Sequence, residues 1–260
     1  MEHFSGGRQV DSDHENAYHV NCSTKDCLNV GLDGGSWEMI GPIERPPTLT
    51  TTVAESIRNS IFKGDLPPSD PLREMELSEA LGVSRSTVRE ALRLLHEEKL
   101  VEIIPHRGAF VIKLSKPTAR ELYTLRAILE PYALRLAMAD QSFEAADLAR
   151  LDQLAQQLNE LEQAPDTTFE TVRTDLELHE LIVRRSRHEL LISMYKSLRS
   201  LTGLYVSHFK LFETDAYAAA PSHTAISRSI REGDAEKASR ILEEHISRSG
   251  AALLDRMEDV

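Results

Sequence analysis

Leu81-Gly-Val-Ser-Arg-Ser-Thr-Val-Arg-Glu-Ala-Leu92 is the stretch that decides how the N-terminal half of this 260-residue chain folds. Gly82 is a helix stop, and Ser84 stands where the N-cap of a following helix falls, its hydroxyl able to accept from a first-turn amide. Beyond it Val88, Ala91, Leu92 and Leu95 recur at i, i+3, i+4 and i+7, while Arg85, Arg89 and Arg93 project from an adjoining face. A helix of this make is anchored by its apolar stripe and shows guanidinium groups to the outside.

Upstream, Thr52-Val-Ala-Glu55 has the form of a capping box, and Val53, Ile57 and Ile61 predict a helix that Gly64 stops. After a turn at Pro67-Pro68, Leu77 and Leu81 mark a short second helix. Downstream, Val101 to Ile104 and Ala109 to Ile112 are β-prone runs joined by Pro105-His-Arg-Gly108, the pattern of a hairpin with a glycine turn. Three helices followed by a hairpin make a winged helix-turn-helix over residues 50–115.

Only helical periods follow, over residues 116–256. Thr118 and Glu121 have capping-box spacing, Leu122, Leu125, Leu129 and Leu136 predict a buried stripe, and Pro131 is expected to kink that helix. Further helices are predicted from Leu148, Leu151, Leu154, Leu158 and Leu161; from Phe169, Val172, Leu176 and Val183; and over Leu190 to Phe212. One more covers about Ala218 to Arg231, and a last starts at Asp234 and carries Ile241, Leu242 and Ile246. The expected fold class is mainly α, a winged helix-turn-helix plus an all-α helical bundle. Residues 1–49 are rich in Gly, Ser, Asn and Asp without a sustained period and read as a flexible arm.

The net charge of -12 would argue against a polyanionic partner, but it is unevenly spread. Basic and acidic residues number 3 and 8 over 1–52, 10 and 10 over 53–116, and 17 and 24 over 117–260. A neutral middle region can meet phosphate if its arginines gather on one face, whereas the acidic remainder is repelled. Cys22 and Cys27, the only cysteines, lie in the arm, so no disulfide framework holds the folded part; with His14 and His19 they match no standard zinc-finger spacing. No apolar run approaches membrane-spanning length and Met1 to Val20 is polar, so a cytoplasmic protein with no membrane partner is expected.

Leu81 to Leu92, with Leu95-His-Glu-Glu-Lys-Leu-Val and Arg107-Gly108, resembles the GntR family of bacterial repressors. The second part is similar to the FCD type of its FadR branch, through Glu121-Leu-Tyr-Thr-Leu-Arg126, Leu129-Glu130, Asp175-x-x-x-His179, His223 and His245. The resemblance implies a homodimer that binds double-stranded operator DNA under control of a small organic-acid effector. Ser84, Ser86 and Thr87 would hold the phosphate backbone, Arg85 and Arg89 would read bases, and Arg107 and Gly108 would bring the wing to the minor groove. Met75 stands where relatives often have arginine, which weakens the case for contact by the second helix.

Asp175 and His179 share a helix face, and His223 and His245 lie on the last two helices. One carboxylate and three imidazoles suit a divalent metal, Zn, Mn or Ni, with positions left open. By chemistry alone, an Asp-His pair is more often a helix salt bridge and a lone histidine on an apolar stripe more often a core residue; the resemblance implies the metal. It also implies that Arg126 points into a cavity, where it could clamp an effector carboxylate, while an ion pair with Glu130 one turn on is the alternative. Two rival functions stand beside this one: a metal-free acyl-CoA-type sensor, and a metal-dependent hydrolase or lyase with an attached DNA-binding head. No separate nucleophile or general-base motif favours the enzyme, and none is expected.

Overall fold

A computed structural model describes residues 48–162, 164, 166–214, 217 and 222–257. The expected arm, with its histidines and cysteines, lies outside the described residues apart from Thr48 and Leu49.

Helix α1 (Leu49–Lys63) begins earlier than the capping-box reading placed it. Thr48 is its N-cap, and its hydroxyl and carbonyl take the amides of Thr51 and Thr52 at 3.2 and 3.0 Å. The Thr52 amide is thus already inside the helical ladder, and Glu55 turns instead to Arg58. Gly64 ends α1 in the left-handed region (φ 85°), which a residue without Cβ enters at no steric cost.

A two-residue strand β1 (Pro71–Leu72) leads into α2 (Glu74–Leu81), and Gly82 (φ 64°) turns the chain into α3 (Arg85–Glu97). Val88, Ala91, Leu92 and Leu95 of α3 are all buried, as their spacing predicts. Strands β2 (Val101–Ile104) and β3 (Gly108–Val111) form the wing, pairing antiparallel from Val101↔Val111 to Ile104↔Gly108. β1 adds on the far side of β3 through Pro71↔Phe110 and Leu72↔Ala109, giving the order β1-β3-β2. Two residues are too few to show strand alternation, which is why this strand is invisible in the sequence.

Helix α4 (Lys116–Ala139) starts two residues before the predicted capping box, because Ser115 is the cap and accepts from the Thr118 amide at 3.3 Å. It runs on through Pro131. Its buried stripe is also turned from the expected one: Ala119, Leu122, Tyr123, Arg126, Glu130, Ala133, Leu134 and Ala137 face inward, while Leu125 is 43% exposed. Apolar periodicity cannot register a core face that contains an ion pair.

Helices α5 (Ala145–Leu161), α6 (Thr168–Arg185) and α7 (Glu189–His208) follow. α7 stops short of the predicted Phe212: Lys210 takes a left-handed conformation and a 3₁₀ turn occupies Leu211–Glu213. Helices α8 (His223–Arg231) and α9 (Ala235–Arg256) close the bundle, capped by Ser222 and Asp234. The earlier part of the predicted 218–231 helix falls largely outside the described residues.

The longest pair, α4 and α9, packs closely enough that a Cβ built at Gly250 would lie 2.7 Å from Tyr123 Cβ. The head docks on the body in the same manner. Phe62 of α1 lies against α7, where a Cβ at Gly203 would come within 2.5 Å of the ring tip and 2.9 Å of Leu176 Cδ1.

Candidate DNA interface and metal centre

Ser84 caps α3, its Oγ accepting from the Thr87 amide at 3.2 Å and lying 2.8 Å from both Ser86 Oγ and Thr87 Oγ1. The predicted hydroxyl set is therefore one hydrogen-bonded group at the helix N-terminus, where backbone amides and the helix dipole favour an anion such as phosphate. Arg85, Arg89 and Arg93 stand outward, with half or more of each side chain accessible. Arg93 is paired along its own helix with Glu90 at 2.7 Å. Arg107 and Gly108 sit at the wing turn, where His106 (φ 62°) and Gly108 (φ 99°) are both left-handed. One groove is lined by Arg85, Arg107 and Gly108 together with Glu74 and Met75, so the start of α3 and the wing border the same surface.

The head is fastened to the body through α7. Glu98, which ends α3, accepts from Arg58 Nε and Nη2 at 3.0 and 2.7 Å and from Ser200 Oγ at 3.0 Å. Ser197 Oγ donates to the Glu97 carbonyl at 3.3 Å. Tyr205, two turns on, accepts from the Ser115 amide and donates to the Ser115 carbonyl at 3.0 and 2.9 Å, gripping the linker between wing and α4. Neither Glu98 nor Tyr205 stood out in the sequence, since their partners lie some 40 to 100 residues away.

Within the body, Asp175, His179, His223 and His245 are all buried, and one donor atom from each falls within 4.8 Å of the others. Helix α6 supplies the first two on one face. α8 delivers His223 as its first residue, held against α5 by Asn159 Nδ2 donating to Thr224 Oγ1 at 2.9 Å and by Ser227 Oγ donating to Asp152 at 2.5 Å. The His223 and His245 rings are 4.5 Å apart between centroids, and His179 stacks on His245 at 5.4 Å.

His223 Nε2 lies 2.9 Å from Asp175 Oδ1 and pairs with it, whereas the buried His179 Nε2 is 3.7 Å from the same oxygen and has no hydrogen-bond partner. Leaving a buried polar atom unpaired costs about 1–3 kcal/mol, so its place among these donors needs a cause. A divalent cation supplies one: donors bonded ~2.0–2.2 Å from a common ion stand at most about 4.4 Å apart, a contraction of only a few tenths of an ångström from the spread found here.

The surroundings prepare the donors for that role. Burial would push the Asp175 carboxyl up, but His179, His223 and Arg126 around it outweigh burial and hold the group well below its usual range, as an anion. Burial lowers His223 toward the neutral ring, against the opposing pull of Asp175.

Glu130, buried in α4, lies 2.5 Å from His179 Nδ1, while Arg126 Nη2 is 3.5 Å from that nitrogen. The shorter contact has Nδ1 donating to Glu130, which leaves Nε2 on the side of Asp175. Sequence reasoning saw Glu130 only as a partner for Arg126 and missed its hold on His179, because nothing local joins α4 to α6.

Arg126 forms the predicted ion pair, Nε to Glu130 Oε1 at 2.6 Å, and lies 5.1 Å over the Tyr123 ring. It also lines a narrow cavity of about 10 Å³ with Asp175, Tyr217, His245 and Ser249. Both alternatives raised for this residue thus have a geometric counterpart, and its Nη1 remains uncommitted to Glu130.

Comparison with known proteins places these features in a family. Residues 49–111 match the description "Bacterial regulatory proteins, gntR family", and residues 121–248 match the FCD domain. The chain is 30% identical over 208 residues to the probable D-xylose utilization operon transcriptional repressor of Paenarthrobacter nicotinovorans, covering 76% of this chain and 87% of that one. It is 28% identical over 155 residues to the gluconate operon transcriptional repressor of Bacillus licheniformis, covering 59% and 62%. A putative GntR transcriptional regulator from Rhodococcus sp. RHA1 superposes with a TM-score of 0.66 at 25% identity, over 79% of this chain and 97% of that one. These relatives are named as regulators of transcription, not enzymes, and the reading of the metal cluster as a hydrolase or lyase centre falls away. A winged helix-turn-helix head joined to an FCD body, matched in sequence along both and in fold over most of the chain, makes this protein a member of the GntR family of bacterial regulatory proteins.

Proposed function

We propose that this chain is a cytoplasmic, homodimeric repressor whose grip on operator DNA is set by a small organic acid bound beside a divalent metal. The observation that carries the reading is the convergence of one buried donor atom each from Asp175, His179, His223 and His245 within 4.8 Å, with Arg126 beside them. Asp175, His179, His223 and His245 hold the cation, for which Zn, Mn and Ni are the candidates. Such an ion keeps positions open for ligand oxygen. Arg126, anchored through Nε by Glu130, turns its remaining N–H donors to the effector carboxylate.

The boundaries we assign are 50–115 for the DNA-binding head and 116–256 for the effector body, with 1–49 as the arm. In the head, Arg85 and Arg89 read base edges, Ser84, Ser86 and Thr87 hold phosphate, and Arg107 and Gly108 carry the wing into the minor groove. Each head reads only a few base pairs, so two copies on a palindromic site are needed for a specific address. Repression is the mode given in the names of the gluconate and D-xylose operon relatives, and we extend it to this chain.

The test is release of DNA. Operator sequences selected from a random duplex pool are bound by purified protein, and metals and small carboxylates are added in turn. We expect a metal-dependent carboxylate to change operator affinity, and Arg126→Ala to abolish that response while leaving effector-free binding intact. An equal response in Arg126→Ala, or in protein stripped of metal, overturns the reading.

A further inference from the structure

Arg89 faces outward from α3, yet its guanidinium is held. Nε donates to Glu74 Oε1 at 2.9 Å and Nη2 donates to Glu74 Oε2 at 2.6 Å, a bidentate pair that bridges α2 and α3. Arg85 Nη2 also approaches Glu74, at 3.9 Å. The other exposed arginines of this surface pair within their own turn, Arg93 with Glu90 and Arg73 with Glu76, each through a single nitrogen. The Arg89 hydrogen bonds and the neighbouring arginines hold the Glu74 carboxyl below its usual range despite its partial burial.

A guanidinium has five N–H donors in a planar fork. Glu74 takes the side edge, the Nε hydrogen and one on Nη2. Left over are the two Nη1 hydrogens and the second on Nη2, which form the end edge and have the spacing of guanine O6 and N7. A long, exposed arginine otherwise samples many rotamers, and most of them cannot make both bonds at once.

We propose that Glu74 is a specificity-determining positioning residue: it clamps the side edge of Arg89 so that the end edge is presented, already oriented, to a guanine in the major groove. Its negative charge also works against any duplex that offers only phosphates, so the carboxylate sharpens discrimination from both sides. This rests on Arg89 being a base reader, as assigned above.

The experiment uses the full chain and its Glu74→Gln, Glu74→Asp, Glu74→Ala and Arg89→Ala variants. Each is titrated at one fixed salt concentration against the selected operator, against operators with single G·C pairs replaced, and against an unrelated duplex. Glu74→Gln is expected to bind the unrelated duplex about 2-fold to 3-fold more tightly and to lose roughly 10-fold of its preference for one particular G·C pair, the pair whose preference Arg89→Ala also loses. Glu74→Asp should recover part of that preference. The ion pair is exposed, so unfolding temperatures should stay within a few degrees of the parent. An unchanged base preference in Glu74→Gln, where Arg89→Ala loses it, overturns the proposal and leaves Arg89 as a reader. No loss in Arg89→Ala overturns both. Parallel weakening on all three duplexes together with a lowered unfolding temperature also overturns it, since Glu74 would then act only on folding.

Discussion

Gly203→Ala isolates the contact that joins the DNA-binding head to the effector body. The added methyl carbon would meet Phe62 Cζ at 2.5 Å, Phe62 Cε2 at 2.8 Å and Leu176 Cδ1 at 2.9 Å, each well inside van der Waals contact. Two effects oppose one another. Alanine is favoured over glycine within a helix such as α7 by about 1 kcal/mol, whereas overpacking a filled core costs about 1–3 kcal/mol. Phe62 and Leu176 are 4% and 1% exposed, so neither can step aside into solvent, and overpacking is expected to win by about 1 kcal/mol. For a chain of this size that is a fall in unfolding temperature of roughly 2–4 °C.

A double-mutant cycle gives the decisive number. Phe62→Leu alone removes ring carbons and should cost about 2 kcal/mol, but it opens the space the new methyl needs. The double variant should then be at least about 1 kcal/mol more stable than the two single changes predict when added. Thermal and urea unfolding of the four proteins measure it. A stabilised Gly203→Ala, or strict additivity in the cycle, would refute the close packing of α1 on α7.

On the proposed metal site, treatment with a chelator should lower the unfolding temperature; in His179→Ala or His223→Ala that effect should vanish and elemental analysis should find no stoichiometric metal. Glu130→Gln weakens the hold on the His179 proton and should cut metal affinity about 10-fold to 100-fold in metal titrations. It also strips the buried Arg126 of its anionic partner, so destabilisation of about 3–5 kcal/mol is expected, and Glu130→Asp should recover part of each. Glu98→Ala removes the acceptor shared by Arg58 and Ser200; effector-free operator binding should persist while the change in affinity on adding effector shrinks, read by fluorescence anisotropy of labelled operator.

The local chemistry of the chain by itself determined where most helices lie and which face of α3 is outward. Gly64 and Gly82 stop helices because they alone adopt left-handed backbone freely, Ser84 caps because its hydroxyl reaches an amide three residues on, and Val88 to Leu95 bury one stripe. The residues of the proposed metal site were likewise nameable, since Asp175 and His179 are a helical turn apart and the family resemblance supplied His223 and His245. Competing signals were harder to rank. Thr52-Val-Ala-Glu55 and Thr118 with Glu121 have capping spacing, yet Thr48 and Ser115 take the amides first.

Tertiary structure alone decided which polar groups meet. Arg126 and Glu130 occupy a face of α4 that an apolar count cannot detect, and Glu130 acquires its role only when α6 brings His179 to it. Glu74 and Arg89, fifteen residues apart, become one unit because the turn at Gly82 crosses α2 over α3. Glu98 and Ser200 meet across about a hundred residues. Helix propensity and capping act over three or four residues and so can be read along the chain; the pairing of charges between helices depends on how those helices are packed, and packing is a property of the whole fold.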